Sequence, residues 1–161
     1  YCLHIASANI VHLLHIASTF AEIILTSVKS RRSDCPISQS LDNWGDKWSL
    51  LIIRDLMTAK QCTYGDFLKA PEGIATNILA SRLLQMEENG LIEKLDHPDS
   101  KAKVLYRLTG KGIDLVPVMI EINLWAEKYF IIPADRKAML KEVKKDKEGF
   151  IKAGMKELRR A

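Results

Sequence analysis

The sequence has few cysteines, and the three that it has are far apart. Cys2, Cys35 and Cys62 show no Cys-x-x-Cys spacing, cannot pair completely, and lack the companion ligands of a zinc site. The cysteines therefore indicate neither a complete disulfide framework nor a zinc site. The same usage makes a reducing cytoplasm the simplest expected location.

The sequence also lacks the local motifs on which many enzymes depend. It has no Gly-rich phosphate loop, no Ser/His/Asp grouping in a motif context, and no cluster of metal ligands. The mainly apolar stretch 6–25 would be a poor membrane span, because Asn9, His12, His15 and Glu22 would lie in the hydrocarbon region. We expect a protein that is not an enzyme, uses no cofactor or metal, and does not enter a membrane.

Positive charge is in slight excess. The net charge of +4 fits an anionic partner without requiring one. Lys and Arg crowd residues 131–161, where Asp and Glu cancel about half of their charge. We interpret this segment as a solvated amphipathic helix, and a DNA-clamping tail is the alternative. The apolar residues predicted to face inward are Met139, Val143, Phe150, Met155 and Leu158.

The central segment Thr76–Asn89 has the pattern of an amphipathic helix. Leu79, Leu83 and Met86 fall at helical spacing, and Gly90 accepts the left-handed backbone that ends a helix. The opposite face is polar and consists of Thr76, Asn77, Ser81, Arg82 and Gln85. Hydroxyl, amide and Arg side chains are those that read base edges in a major groove, so we predict a DNA-binding helix. A polar face that only contacts solvent is the alternative.

A β-hairpin is predicted directly after this helix. Residues 91–95 and the β-rich run Val104–Leu108 flank turn formers at 97–101. Lys101 and Lys103 near the tip, with Arg107 further along, suit contact with phosphates, although Asp96 and Asp99 dilute the positive charge. A helix followed by strand, turn and strand is the second half of a winged helix-turn-helix, with the hairpin as its wing.

Upstream, two further helices are predicted. Residues 46–56 place apolar side chains at helical spacing after a capping Asp46, and the short helix 64–70 is followed by the turn Ala70-Pro-Glu-Gly73. Downstream, Thr109–Phe130 is predicted to form one long helix that is apolar on more than one face. Either the C-terminal helix covers the surplus or a second subunit does. We favour a homodimer, with Ile120, Leu124 and Trp125 in its interface.

The order of short motifs along residues 34–130 resembles one known family. The motifs are Cys35-Pro36, Gly45-Asp-Lys-Trp48, Tyr64-Gly-Asp-Phe67, Gly73-Ile-Ala-Thr-Asn-Ile-Leu79, Glu88-Asn-Gly-Leu-Ile92, Tyr106-Arg-Leu-Thr-Gly-Lys-Gly112 and Trp125. Their order resembles the HxlR family of bacterial winged-helix transcription regulators. The resemblance implies a homodimer on a partly palindromic operator, with the Thr76–Asn89 helix in the major groove and the wing along the adjacent backbone.

The same resemblance draws attention to two positions. In redox- and electrophile-sensing members of the family, a Cys at the position of Cys35 is the sensor. In this sequence Arg31 and Arg32 lie near Cys35, and their positive charges would favour a reactive thiolate. The alternative is that Cys35 is a small buried residue that only packs against its neighbours. Cys62 is predicted to be structural. Ala75 stands where many relatives carry a Ser that caps the recognition helix. If Thr76 caps the helix instead, it is less available to read bases.

The sequence thus predicts a mainly α protein with a small β-hairpin wing: a winged helix-turn-helix with N- and C-terminal dimerisation helices. Residues 1–33 form an extension that is helical, disordered or from outside the natural reading frame. Residues 34–130 form the DNA-binding domain with its dimerisation helix, and 131–161 a basic C-terminal helix. The predicted function is regulation of transcription by a dimer on an inverted repeat, with Cys35 responding to oxidants or electrophiles. A small-molecule sensor at the dimer interface and a winged helix for protein contact stay open.

Overall fold

A computed structural model describes residues 33–160. The elements are α1 (Pro36–Trp44), α2 (Lys47–Ala59), β1 (Gln61–Thr63), α3 (Tyr64–Leu68), α4 (Thr76–Glu88), β2 (Ile92–Asp96), β3 (Val104–Leu108), α5 (Gly110–Ile113), α6 (Val116–Tyr129), α7 (Ala134–Lys145) and α8 (Lys147–Leu158). The predicted fold class, mainly α with a small β wing, is confirmed. Except for Ser33, the predicted extension over residues 1–33 lies outside the described residues.

The helix-turn-helix consists of α3, the turn at 70–73 and α4, and it packs on α2. Asp46 caps α2 as predicted, because its Oδ1 accepts the backbone N–H groups of Trp48 (3.0 Å) and Ser49 (3.2 Å). The buried faces of α2 and α4 meet in one core that includes Leu56, Leu79 and Met86. This contact fixes α4 against the body of the domain and leaves its opposite face outside.

Three strands form the sheet, in the order β1-β3-β2, and both pairings are antiparallel. The wing hairpin β2-β3 is confirmed, whereas β1 was not predicted, since three residues are too few for a period-two pattern. In β1, Cys62 pairs with Tyr106 and is only 4% exposed. Burial raises the pKa of the Cys62 thiol to about 11. Cys62 is therefore structural, as predicted.

Gly90 connects α4 to the wing. Its φ of +67° lies in the left-handed region, and the N–H of Leu91 donates to the carbonyl of Met86 (2.9 Å) across it. This turn ends α4 as predicted and places Leu91 and Ile92 in the core at 1% and 2% exposure. The wing thus leaves the core in a fixed direction relative to α4.

The helix predicted over Thr109–Phe130 is not continuous, so this prediction was wrong. It divides into α5, which ends at Ile113, and α6, which begins at Val116. Pro117 lies in the first turn of α6, where its missing N–H costs nothing. If α5 continued without a break into α6, the ring of Pro117 would clash with the carbonyl of Ile113, four residues earlier. The chain therefore turns at residues 114–115.

The single C-terminal helix predicted over 131–161 is two helices, α7 and α8. They meet at Asp146, whose side chain caps α8 by accepting the N–H of Gly149 (2.9 Å). Both pack on α6, and they share one compact unit, residues 41–161, with the winged helix. The inward residues predicted for this segment are all at least partly buried, and the unpredicted Leu140 is fully so. The described residues hold no helix long and apolar enough to cross a membrane.

Candidate nucleic-acid interface

The outer face of α4 is an exposed stripe of polar and apolar side chains. Thr76, Asn77 and Ser81 lie on it, as predicted from the sequence. Ala80 and Leu84 lie on it as well, and Leu84 is 55% exposed. The four-residue spacing of 76, 80 and 84 could have revealed both residues, but apolar side chains were not sought on a polar face. We call these five residues the reader face.

Arg82 and Gln85 do not lie on the reader face. Both are half-buried, and Arg82 Nη1 donates to Gln85 Oε1 at 2.6 Å. Arg82 Nε lies 3.1 Å from Asp46 Oδ1, an ion pair without the alignment of a hydrogen bond. Arg82 therefore ties α4 to the capped end of α2. Its role in base reading stays a prediction, and reading a base would require this contact to open.

The N-terminus of α4 is capped by Ala75 and not by Thr76. No side chain there accepts a hydrogen bond. Thr76 is the first residue of the helix itself, so a capping role does not occupy its hydroxyl. Tyr64 donates its hydroxyl to the Thr76 carbonyl (2.7 Å) and thus holds the first turn of α4 against α3. Free N–H groups at a helix start favour anionic partners.

The wing carries the two lysines that the sequence analysis selected. Lys101 and Lys103 are exposed, and neither has an ion-pair partner within residues 33–160. Arg107 further along β3, which was also expected to contact phosphates, instead pairs with Glu93 (2.7 Å), and Lys94 pairs with Glu87 (2.6 Å). Within the described residues, the tip of the wing therefore carries exposed positive charge without an ion-pair partner, whereas the cations on its strands are paired with Glu87 and Glu93.

The three predicted dimer residues lie in different environments. Ile120 is only 4% exposed and belongs to the core of its own subunit, so it cannot itself reach a partner. Leu124 is half-buried, whereas Trp125 is 55% exposed. Trp125 contacts the tilted ring of Tyr129 and meets Phe130 edge to face, with ring centroids 5.0 and 5.7 Å apart. We call these three rings, each more than half exposed, the aromatic patch.

Cys35 lies directly before α1 and is exposed and free. Its backbone carbonyl accepts the N–H of Gln39 (3.0 Å), and its N–H donates to the Ser33 hydroxyl (3.1 Å). These bonds fix the backbone and leave Sγ accessible. Arg31 and Arg32, which were expected to assist it, lie outside the described residues.

Comparison with known proteins places this arrangement in a family. A sequence model of the family HxlR-like helix-turn-helix matches residues 43–132, more than half of the chain. The HTH-type transcriptional regulator sll1512 of Synechocystis sp. is 36% identical over 89 residues, which are 55% of this chain and 65% of that protein. The chain therefore spans slightly less than two thirds of that relative. The HTH-type transcriptional regulator YodB of Bacillus subtilis is 32% identical over 96 residues, 59% of this chain and 85% of YodB.

Solved structures agree with the sequence matches. The crystal structure of PA1607 superposes with a TM-score of 0.57 at 38% identity, covering 65% of this chain and 71% of that one. Quinone-bound YodB from Bacillus subtilis superposes with a TM-score of 0.50 at 29% identity, covering 59% and 99%. The family match, these relatives and the winged-helix fold agree. The chain belongs to the HxlR-like helix-turn-helix family of transcriptional regulators.

Proposed function

We propose that the protein binds double-stranded operator DNA sequence-specifically and regulates transcription of a nearby gene. The observation that carries this proposal is the exposed reader face of α4, a helix that contacts strand β2 of the wing. The wing tip carries two exposed lysines that have no ion-pair partner among residues 33–160. Asn77 and Ser81 offer amide and hydroxyl groups to base edges, and Leu84 and Ala80 offer apolar contact to a thymine methyl group. Lys101 and Lys103 would contact phosphates, which position the helix without reading sequence.

The proposal includes a homodimer held by the aromatic patch. Large exposed aromatic surfaces on a small protein mark contact sites, and Trp and Tyr are enriched where contacts are strongest. A two-fold dimer would present two copies of α4 to successive turns of one duplex face, about 34 Å apart. The expected operator is therefore an inverted repeat. Since the ligand is chromosomal DNA, the protein would act in the bacterial cytoplasm, and no catalytic step is needed.

Selection from a library of random duplexes tests the main proposal. We expect enrichment of an inverted repeat whose half-site centres are about 10 base pairs apart. Binding should weaken steeply as salt rises, since released counterions drive it. Binding that is insensitive to salt, or a selection that enriches no sequence, would favour the use of this winged helix for protein contact.

The wing lysines give a prediction of their own. Lys101→Ala and Lys103→Ala should weaken binding to the operator and to unrelated duplexes by similar factors. Each should reduce the slope of log affinity against log salt by roughly 0.9, the loss expected for one phosphate contact. The control is Lys145→Ala on α7, which removes an equal charge that is already paired with Glu142. If the lysine variants affect only the operator, the wing reads sequence and this assignment is wrong.

The aromatic patch is tested by Trp125→Ala. Truncating a ring at the centre of an interface should weaken dimerisation by about thirtyfold, close to 2 kcal/mol. Sedimentation at a series of protein concentrations measures this directly. Leu84→Ala is the matched control, because Leu84 and Trp125 are equally exposed at 55% but Leu84 lies on the reader face. A wild-type protein that is monomeric at micromolar concentration would contradict the dimer.

We further propose that Cys35 responds to electrophiles. The supporting observation is that Cys35 is exposed at the start of α1, whereas Cys62 is buried with a raised pKa. A quinone would add to Cys35 Sγ, giving a thioether, and the thiol proton would end on the ring oxygen. The likeness to YodB, whose quinone-bound structure is known, is consistent with this chemistry.

Substitution of Cys35 tests the response. Cys35→Ser should bind operator as the wild type does but should lose the change in affinity that a benzoquinone produces. Mass spectrometry should find the adduct on Cys35 and not on Cys62, because thiolate exposure controls reactivity. Cys2→Ser serves as the control for the remaining thiol. A Cys35→Ser protein that still responds would show that the sensor is another residue.

A further inference from the structure

A cavity of about 230 Å³ lies between α2, α6 and the C-terminal helices α7 and α8. Its walls are mainly apolar and include Met57, Met119, Met139, Phe150 and Leu158. Since the family match ends at residue 132, six of the fourteen lining residues come from a segment outside it. The cavity is thus a property of this chain and not only of the winged helix.

The size and lining indicate the kind of molecule that fits. A dry apolar cavity of about 150 Å³ is known to hold benzene, so this one has room for a single substituted ring. Three methionines and one phenylalanine line it, and thioether sulfur makes favourable contacts with aromatic rings. The preferred occupant is therefore a small aromatic molecule.

The charges around the cavity indicate its polar group. Three cationic side chains line it, and two are already paired: Arg54 with Asp55 and Glu72, and Lys60 with Glu157 at 3.4 Å. Arg136 has no ion-pair partner within residues 33–160. Arg136 is a half-buried residue, and a guanidinium beside an apolar cavity can hold a carboxylate with two parallel hydrogen bonds. Glu157 is a cavity-lining carboxylate and disfavours anions close to it, so the anion belongs at Arg136.

Arg54 connects the cavity with the helix-turn-helix. Its side chain lines the cavity and also pairs with Glu72, which lies in the turn between α3 and α4. A neighbouring surface groove shares three of the cavity's lining residues, namely Arg54, Thr58 and Arg136. This groove also reaches Ala70 and Pro71 in the turn between α3 and α4. A carboxylate held at Arg136 would therefore compete with Glu72 for Arg54.

We propose that this cavity binds a small aromatic carboxylate, with Arg136 holding the carboxylate and the methionine-rich walls holding the ring. Occupancy would weaken the Arg54–Glu72 pair and so loosen the turn that positions α4. This second step rests on the proposed DNA-binding function. The binding step does not.

Calorimetric titration of the full chain, without DNA, with 4-ethylbenzoate tests the site. We expect a dissociation constant below about 1 mM and at least tenfold weaker binding of 4-ethylbenzamide, which has the same shape without the charge. Arg136→Met should weaken 4-ethylbenzoate binding about tenfold or more, whereas Lys137→Met on the same helix should change it less than about twofold. Equal binding of acid and amide, or no binding of either to the wild type, would overturn the proposal.

A second pair of variants tests the location. Gly154 lines the cavity, and a Cβ at this position would meet no atom within 4 Å. Gly154→Ala should therefore bind the probe nearly normally, whereas Gly154→Leu should fill the cavity and abolish binding. Undiminished binding by a folded Gly154→Leu would place the probe elsewhere. For the second step, 4-ethylbenzoate should weaken operator binding by the wild type but not by Arg136→Met.

Discussion

Ser81→Glu is expected to lower operator affinity by about a hundredfold or more while leaving the melting temperature unchanged. Ser81 lies exposed in the middle of the reader face, so a longer side chain meets no neighbour in the free protein. On DNA, a carboxylate there would face the phosphates, and like charges across an interface cost several kcal/mol. The base contact of Ser81 would also be lost. Fluorescence anisotropy with the selected operator measures the effect.

The control for this variant must change the net charge equally. Ala153→Glu does so on the exposed face of α8, far along the chain from the helix-turn-helix. It should reduce affinity only slightly, through the general field of the protein. If both variants lose the same small factor, α4 does not enter the groove and the reader face is not the DNA surface.

Gly112→Ala is expected to destabilise the fold by about 3 kcal/mol, the upper end of the usual cost of overpacking a well-packed core. A Cβ at residue 112 would lie 2.1 Å from the Leu91 carbonyl oxygen and 3.0 Å from Leu108 Cδ2. The backbone oxygen cannot rotate away, because it also accepts the N–H of Thr109 (3.1 Å). The start of the wing and α5 would therefore be forced apart. Thermal unfolding should show a fall of roughly 10 °C.

Gly110→Ala is the matched control, two residues earlier in α5. A Cβ there would meet nothing within 4 Å, so its stability should stay within about 0.5 kcal/mol of the wild type. Comparable melting temperatures for the two variants would mean that the close approach of α5 to Leu91 does not exist in solution.

The order of elements around the reader face could be predicted from the sequence. Three local patterns were confirmed: the apolar spacing at Leu79, Leu83 and Met86, the helix end at Gly90, and the β-rich run Val104–Leu108. Such patterns depend on neighbouring residues and on the period of one element. The position of the wing relative to α4 follows from them, because only a short turn separates the two.

What the sequence could not supply depended on contacts between distant residues. The strand β1 exists because β3 pairs with it. The C-terminal helices cover the face of α6 that buries Ile120. Arg82 forms an ion pair with Asp46 and therefore does not lie on the reader face. The cavity at Arg136 needs α2, α6, α7 and α8 together. By itself the sequence determined the type and order of the elements of the helix-turn-helix and its hairpin, since local periodicity and turn chemistry encode them, whereas the helices after residue 109 divide where the sequence reading predicted continuity. The tertiary structure alone decided which polar side chains remain free to bind, because packing partners far along the chain compete for them.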